Sequence, residues 1–265
     1  MALRRGTRPR ALITTTPRPL RLLERIREMP WTVTTTGRTS DNINLDEKFI
    51  EIMTATYGGT KLGQQELDGE LLFDMEGALW PRELLARSRW TGPHPEFDRI
   101  TVGVDPPAGV GERVDACGIV VAGSANNRFY VLADESVQGL SPEGWASQVA
   151  AVAARWNTVQ IVAEANNGGA MVKSVLNAAD DGLKVRLVHA SLGKAARAEP
   201  VALLFEKGRA LLAGTFASLE DELAGIIAGG AYEGPGRSPD RADAMVWALT
   251  ALSETKSGVP RVRRL

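Results

Sequence analysis

Asp105, Glu164 and Asp243 each stand where a regular element is expected to end or begin. Asp105 closes the apolar run Ile100-Thr101-Val102-Gly103-Val104, and Glu164 closes Val159-Gln160-Ile161-Val162-Ala163. Asp243 lies in the first turns of a helix opened by Ser238-Pro239. Strand ends in a mostly parallel sheet point into one crevice, and a helix packed across it adds a ligand from its own start. Carboxylates brought together repel one another and take up protons unless a cation lies between them. Oxygen ligands of this kind suit Mg²⁺ or Mn²⁺, which take a few carboxylates and keep waters for substrate. Two such ions would activate a water on one side of a phosphodiester and stabilise the leaving oxygen on the other, so the chemistry expected is hydrolysis of a nucleic acid strand.

Each acid also has a plainer reading. Asp105 precedes two prolines and could simply begin a turn. Glu164 could be a surface acid at a strand end, although Asn166-Asn167-Gly168-Gly169 follows it, a loop able to bring backbone N–H groups close to a phosphate. Asp240 shares a helix side with Asp243, Trp247 and Ala251; it is either a second ligand or a residue favouring the positive end of the helix, with Ser238 as N-cap and Pro239 at N1. Lys194 and Arg197 start a helix and Lys207 and Arg209 finish it. They could meet a polyanion, Lys194 foremost because Ser191-Leu192-Gly193 precedes it, or pair with Glu199 and Glu206 on the same helix.

Composition narrows the field without deciding it. A chain of 265 residues with 44% hydrophobic content can bury one large core or two ordinary ones. The net charge of −1 gives no global pull toward nucleic acid, but Arg4, Arg5, Arg8, Arg10, Arg18, Arg21, Arg25 and Arg27 load the start with positive charge, and Arg261, Arg263 and Arg264 load the tail. Such runs either track phosphates or form a solvated face. Cys117, alone of its kind and inside an apolar run, excludes an internal disulfide and reads as a core residue. Two histidines, His94 and His189, leave little material for a zinc site or a His-based triad. With no apolar stretch long enough to cross a bilayer and no signal region, a soluble, intracellular protein is expected.

The elements that must position the acids follow from periodicity and punctuation. Before about Leu72, strand-like pieces occur at Ala11 to Thr15 and Trp31 to Thr35. Helical stretches occur at Leu20 to Glu28 and Asp46 to Ala55, with Asp41 or Asn44 as candidate caps. Residues 73–98, with Trp80, Pro81, Trp90, Gly92, Pro93 and Pro95, read as a linker. Ile100 to Val104, Ala116 to Val121 and Phe129 to Ala133 suit an antiparallel meander. Alternating helices and strands follow, predicting an α/β mixed sheet with helices on both faces over residues 99–256, ahead of a basic tail at 257–265.

The chain resembles the large terminase subunit of tailed bacteriophages and gene transfer agents, whose C-terminal half is a nuclease with an RNase H-like fold. Four stretches carry the match: Val102-Gly103-Val104-Asp105-Pro106, Glu164 with its loop to Gly169, Lys194-Ala195-Ala196-Arg197-Ala198-Glu199-Pro200, and Ser238-Pro239-Asp240-Arg241-Ala242-Asp243-Ala244. It spans essentially Ile100 to Ser253. Ile13-Thr14-Thr15-Thr16-Pro17 resembles the strand that couples ATP hydrolysis to motion in the family's P-loop (RecA-like) ATPase domain, and Gln65-Glu66-Leu67-Asp68-Gly69-Glu70 resembles the end of that domain, so residues 1–72 are expected to be a remnant of that motor. The family's Gly-rich loop ending in Lys-Ser/Thr does not occur, and ATP hydrolysis is not expected of this chain.

The resemblance implies a metal-dependent endonuclease that cuts concatemeric double-stranded DNA during packaging. It would use Mg²⁺ or Mn²⁺, two ions by expectation, in the cytoplasm of a bacterial host, with a small terminase subunit and a portal protein as partners. Asp105, Glu164 and Asp243 map onto the metal-binding acids, Asp240 is a further candidate and Asp115 a weaker one. Lys194, Arg197 and Asn167 are the expected DNA contacts. Two alternatives stand beside it: a resolvase or transposase with the same acidic arrangement, and a non-catalytic docking piece of a packaging motor.

Overall fold

A computed structural model describes residues 10–15, 21–58, 60–70, 75–107, 116–166 and 168–254. The chain forms two compact units, Met1–Phe73 and Asp74–Leu265.

Among the described residues the first unit carries three helices, α1 (Arg21–Arg27), α2 (Glu47–Tyr57) and α3 (Lys61–Glu66), and a 3₁₀ turn at Thr39–Asp41. The expected strands at Ala11 to Thr15 and Trp31 to Thr35 are not formed; both pieces are irregular and exposed. β-branched residues make a strand only against a partner edge, and none pairs with them among the described residues. Neither Asp41 nor Asn44 caps α2. The cap is Asp46, whose carboxylate accepts a hydrogen bond from the Lys48 amide at 2.8 Å. No described apolar side chain of this unit is fully buried.

The second unit runs α4 (Arg82–Arg87), β1 (Arg99–Asp105), β2 (Gly118–Ala125), β3 (Arg128–Asp134), α5 (Pro142–Arg155), β4 (Gln160–Glu164), α6 (Ala170–Ala179), β5 (Lys184–Val188), α7 (Lys194–Glu206), β6 (Ala210–Leu212), α8 (Ala217–Ala224) and α9 (Asp240–Ser253). Six strands form one sheet in the order β5-β4-β1-β2-β3-β6. The meander β1-β2-β3 is antiparallel, while β4, β5 and β6 add in parallel. Alternate residues of β2 face opposite ways: Ile119 and Val121 join a core with α5 and α6, and Val120 and Ala122 join one with α7, α8 and α9. A sheet buried on both faces explains the nearly continuous apolar runs of its central strands.

The stretch expected as a linker belongs to this unit from Asp74 onward. Trp80, Leu84 and Leu85 are buried, and the Trp80 ring meets Phe205 of α7 edge-on at 6.1 Å. Arg82 and Arg89 pair with Asp221 and Glu220 of α8. The prolines and glycines punctuate a strap whose aromatic and aliphatic side chains have a core to fill, so it packs rather than connects.

Candidate active site

β1 and β4 lie side by side in parallel with Val104 opposite Ala163, so Asp105 and Glu164 end adjacent strands at the same edge. Val102, Val104, Ile161 and Ala163 enter the core beneath α5 and α6. Strand alternation therefore turns Asp105 and Glu164 to the other face, where α9 packs.

Two glycines let α9 come down onto that face. A Cβ at Gly103 would overlap the carbonyl oxygen of Ala244, and one at Gly118 would overlap that of Asp240. Gly118 is also the register partner of Asp105. The absence of side chains at these two positions brings the first turn of α9, with buried Asp240 and Asp243, over the strand ends.

That first turn is not capped by Ser238, the candidate N-cap. Glu222 of α8 takes the role from a distance: its Oε2 accepts the amides of Arg241 at 2.8 Å and Ala242 at 3.1 Å. Arg241 in turn reaches Glu222 and Asp134. The Ser238 hydroxyl instead accepts a hydrogen bond from the Lys194 ammonium at 2.7 Å.

Lys194 and Arg197, one helical turn apart on α7, converge on the acids. Lys194 Nζ donates to Asp243 Oδ2 at 2.6 Å. Arg197 donates to Glu164 Oε2 at 3.0 Å and to Asp243 Oδ1 at 3.3 Å, with its guanidinium 4.8 Å from the centre of the Trp247 ring. The Trp247 indole N–H donates to the same Glu164 oxygen at 2.6 Å. These cations therefore pair with acids on other elements, and not with Glu199 or Glu206.

The electrostatics of the group are those of crowded anions. Burial raises the Asp105 carboxyl well above its ordinary value, the charges of Asp243, Glu164 and Asp240 raise it further, and Lys194 opposes them. Asp243 is also raised, chiefly by burial, against the pull of Lys194 and Arg197. Burial and then the charges of Asp105 and Asp240 push the Cys117 thiol up, so it stays protonated and inert as a core residue should.

The donor set suits a hard divalent cation: carboxylate oxygens only, with a mutual repulsion that such an ion would relieve. The arrangement is nevertheless a closed one. Among the described residues no group of three or more His, Cys, Asp or Glu side chains is placed to hold a metal ion, and oxygens of Glu164 and Asp243 are engaged by Arg197 and Lys194.

Of the other expected residues, Asn167, Asp115 and the tail at 257–265 lie outside the described residues. Asn166 accepts the Ala190 amide at 2.9 Å and ties the loop after β4 to the end of β5. His189 is exposed past β5, and His94 stacks edge-on against Phe97. Arg209 is held by Asn127 at the far end of α7. Trp247, Glu222 and Arg241 were not singled out as polar partners of the site. Only Trp247, at four-residue spacing from Asp243, left a trace in the sequence.

A family model for the terminase RNaseH-like domain matches residues 102–252, more than half of the chain. The chain belongs to this terminase family. Solved terminase structures share its fold. The large terminase nuclease of the thermophilic phage G20c with bound cobalt is 16% identical with a TM-score of 0.51, covering 66% of this chain and 98% of that one. The P22 large terminase nuclease domain is 13% identical with a TM-score of 0.50, covering 66% and 92%. The large terminase of a second thermophilic bacteriophage is 14% identical with a TM-score of 0.51; the match covers 80% of this chain and 54% of that one. Among curated proteins none matches significantly. No helix among the described residues is long and apolar enough to cross a membrane.

Proposed function

We propose that the second unit is the metal-dependent endonuclease of a viral DNA-packaging terminase and cuts concatemeric double-stranded DNA by hydrolysing phosphodiester bonds. The observation that carries this reading is the convergence of Asp105 and Glu164, at the ends of adjacent parallel strands, beneath the helix start that bears Asp243. Asp105, Glu164 and Asp243 are the proposed ligands of Mg²⁺ or Mn²⁺, with Asp240 as a fourth and two ions as the proposed stoichiometry. Bound there, such ions would polarise a phosphoryl oxygen and lower the pKa of a water. The cobalt bound by the G20c nuclease supports divalent chemistry on this fold.

The remaining chemistry falls to residues of this chain. Trp247 and Arg197 fix the Glu164 carboxylate in one orientation. Glu222 and Arg241 hold the α9 start against α8, and with it the height of Asp243 over the sheet. Lys194 and Asn167 are the proposed contacts to DNA phosphates, and affinity carried by such contacts falls steeply with salt; Arg197, expected beside them, is committed to Glu164 and Asp243 and positions the acids instead.

The first unit is proposed to be a remnant of the terminase ATPase domain. This reading is supported by the match to the second thermophilic phage's large terminase, which extends over more of the chain than the matches to isolated nuclease domains do. A small terminase subunit and a portal protein are the proposed partners, in the cytoplasm of a bacterial host. The test is cutting of linear duplex against branched junctions with Mg²⁺, with and without EDTA. Metal-dependent cutting of linear duplex supports the terminase reading, whereas cutting confined to junctions supports a resolvase.

The docking alternative draws on one observation: the acids are held by the chain's own cations and, among the described residues, are not arranged as a ready ligand set. Full retention of every measurable activity by Asp105→Ala would favour it.

A further inference from the structure

Asp243 has both of its oxygens engaged inside the chain, and by cations of different kinds. Arg197, on Oδ1, has a side chain only 9% exposed and is fixed on three sides by Glu164, Asp243 and the Trp247 ring. Lys194, on Oδ2, has a side chain 41% exposed. It is the first residue of α7, whose preceding Gly193 supplies no side-chain cap. Its second anchor is the hydroxyl of Ser238, a half-buried residue ahead of α9. An arginine held in a planar fork over an aromatic face resists removal, whereas a lysine on an unbranched stem can swing its charge into water. A divalent cation approaching Asp243 meets like charge and an occupied oxygen, and Lys194 is the obstacle that can leave.

We propose that Lys194 is a latch on Asp243: it neutralises the acid when no metal is bound and competes with the divalent cation for it, thereby setting the metal affinity of the site. This rests on the reading of Asp243 as a metal ligand. A divalent cation held there would take over the neutralisation of Asp243 from Lys194, whose ammonium would turn outward, while Arg197 would stay with Glu164. Lys194 acts through Asp243 and is in this sense a positioning residue, not a ligand.

Calorimetric titration of the full chain with Mn²⁺ tests the proposal. Lys194→Met and Lys194→Gln should each tighten binding about fivefold, the order expected for losing a half-exposed ion pair. Lys207→Met, which removes the same charge from the other end of α7, should leave the affinity unchanged, and in an Asp243→Asn background Lys194→Met should change nothing. Unchanged or weaker binding by both Lys194 variants, or equal tightening by Lys207→Met, would overturn the latch while leaving the metal site standing. If neither the natural chain nor its Lys194 variants bound Mn²⁺, the metal site and the latch would both fall.

Discussion

Gly118 faces the backbone carbonyl of Asp240 so closely that no side chain fits between them. The same holds on β1, where Gly103 meets the carbonyl of Ala244. Glycine is used here for contact, not for an unusual backbone angle, and the contact sets how near the acids of α9 come to the strand ends. Gly118→Ala and Gly103→Ala are each expected to cost about 1–3 kcal/mol of stability, the range for overpacking a filled core. Thermal melting checks the stability, and cutting should fall further than the fraction unfolded explains, because α9 must lift with Asp243.

Trp247→Phe removes the indole N–H from Glu164 and keeps an aromatic ring beneath Arg197. Hydrogen bonds to charged groups contribute about 1.5–3 kcal/mol, so cutting should fall by roughly one to two orders of magnitude if that orientation serves the reaction. Kinetics at saturating metal check it. A variant as active as the natural chain would remove Trp247 from the account of the site.

Glu222 gives a pH dependence whose sign is fixed. Burial pushes its carboxyl up to about 8, against the amides of Ala242 and Arg241 and the charge of Arg241. A folded value above the unfolded one means the folded state holds the proton more tightly. Its contribution to stability is complete below the ordinary carboxylate range and is lost as pH rises through about 8. Glu222→Gln keeps an acceptor for the two amides and does not titrate. Denaturant melts between about pH 5 and 8 should show the natural chain losing stability relative to this variant as pH rises; parallel curves would contradict the assignment.

Much of the site was legible because strand ends announce themselves. An apolar run closed by an acid, twice, followed by a helix start with two acids, places three carboxylates at one sheet edge by local rules alone. The partners of those acids were not legible, since Lys194 reaches Asp243 and Arg197 reaches Glu164 across long stretches of chain that no periodicity connects. Glu222 as the cap of α9 was hidden for the same reason: Ser238-Pro239 has the composition of a helix start, but tertiary packing offered the amides a better acceptor. Trp80 misled in the opposite direction, its surrounding prolines and glycines reading as a connector while the indole itself fills the core. The strands expected near Ala11 and Trp31 failed because propensity describes a residue's fit to a sheet and says nothing about whether a neighbouring edge exists.

The first unit is expected to yield to protease before the second. Trp31 and Val33 are 77% and 89% exposed, and none of its described apolar side chains is fully buried, so little opposes local opening. Limited proteolysis followed by mass spectrometry should leave a resistant fragment beginning near Asp74 and retaining α9. Degradation after Ile100 with the first unit spared would contradict this.

The central claim is that Asp105, Glu164 and Asp243 act as one metal-dependent site, and plasmid nicking and linearisation with Mg²⁺ or Mn²⁺ tests it most directly. The natural chain should cut, EDTA should stop it, and Asp105→Ala, Glu164→Ala and Asp243→Ala should each abolish cutting while remaining folded. Undiminished cutting by any of the three folded variants, or cutting that survives EDTA, would contradict the account.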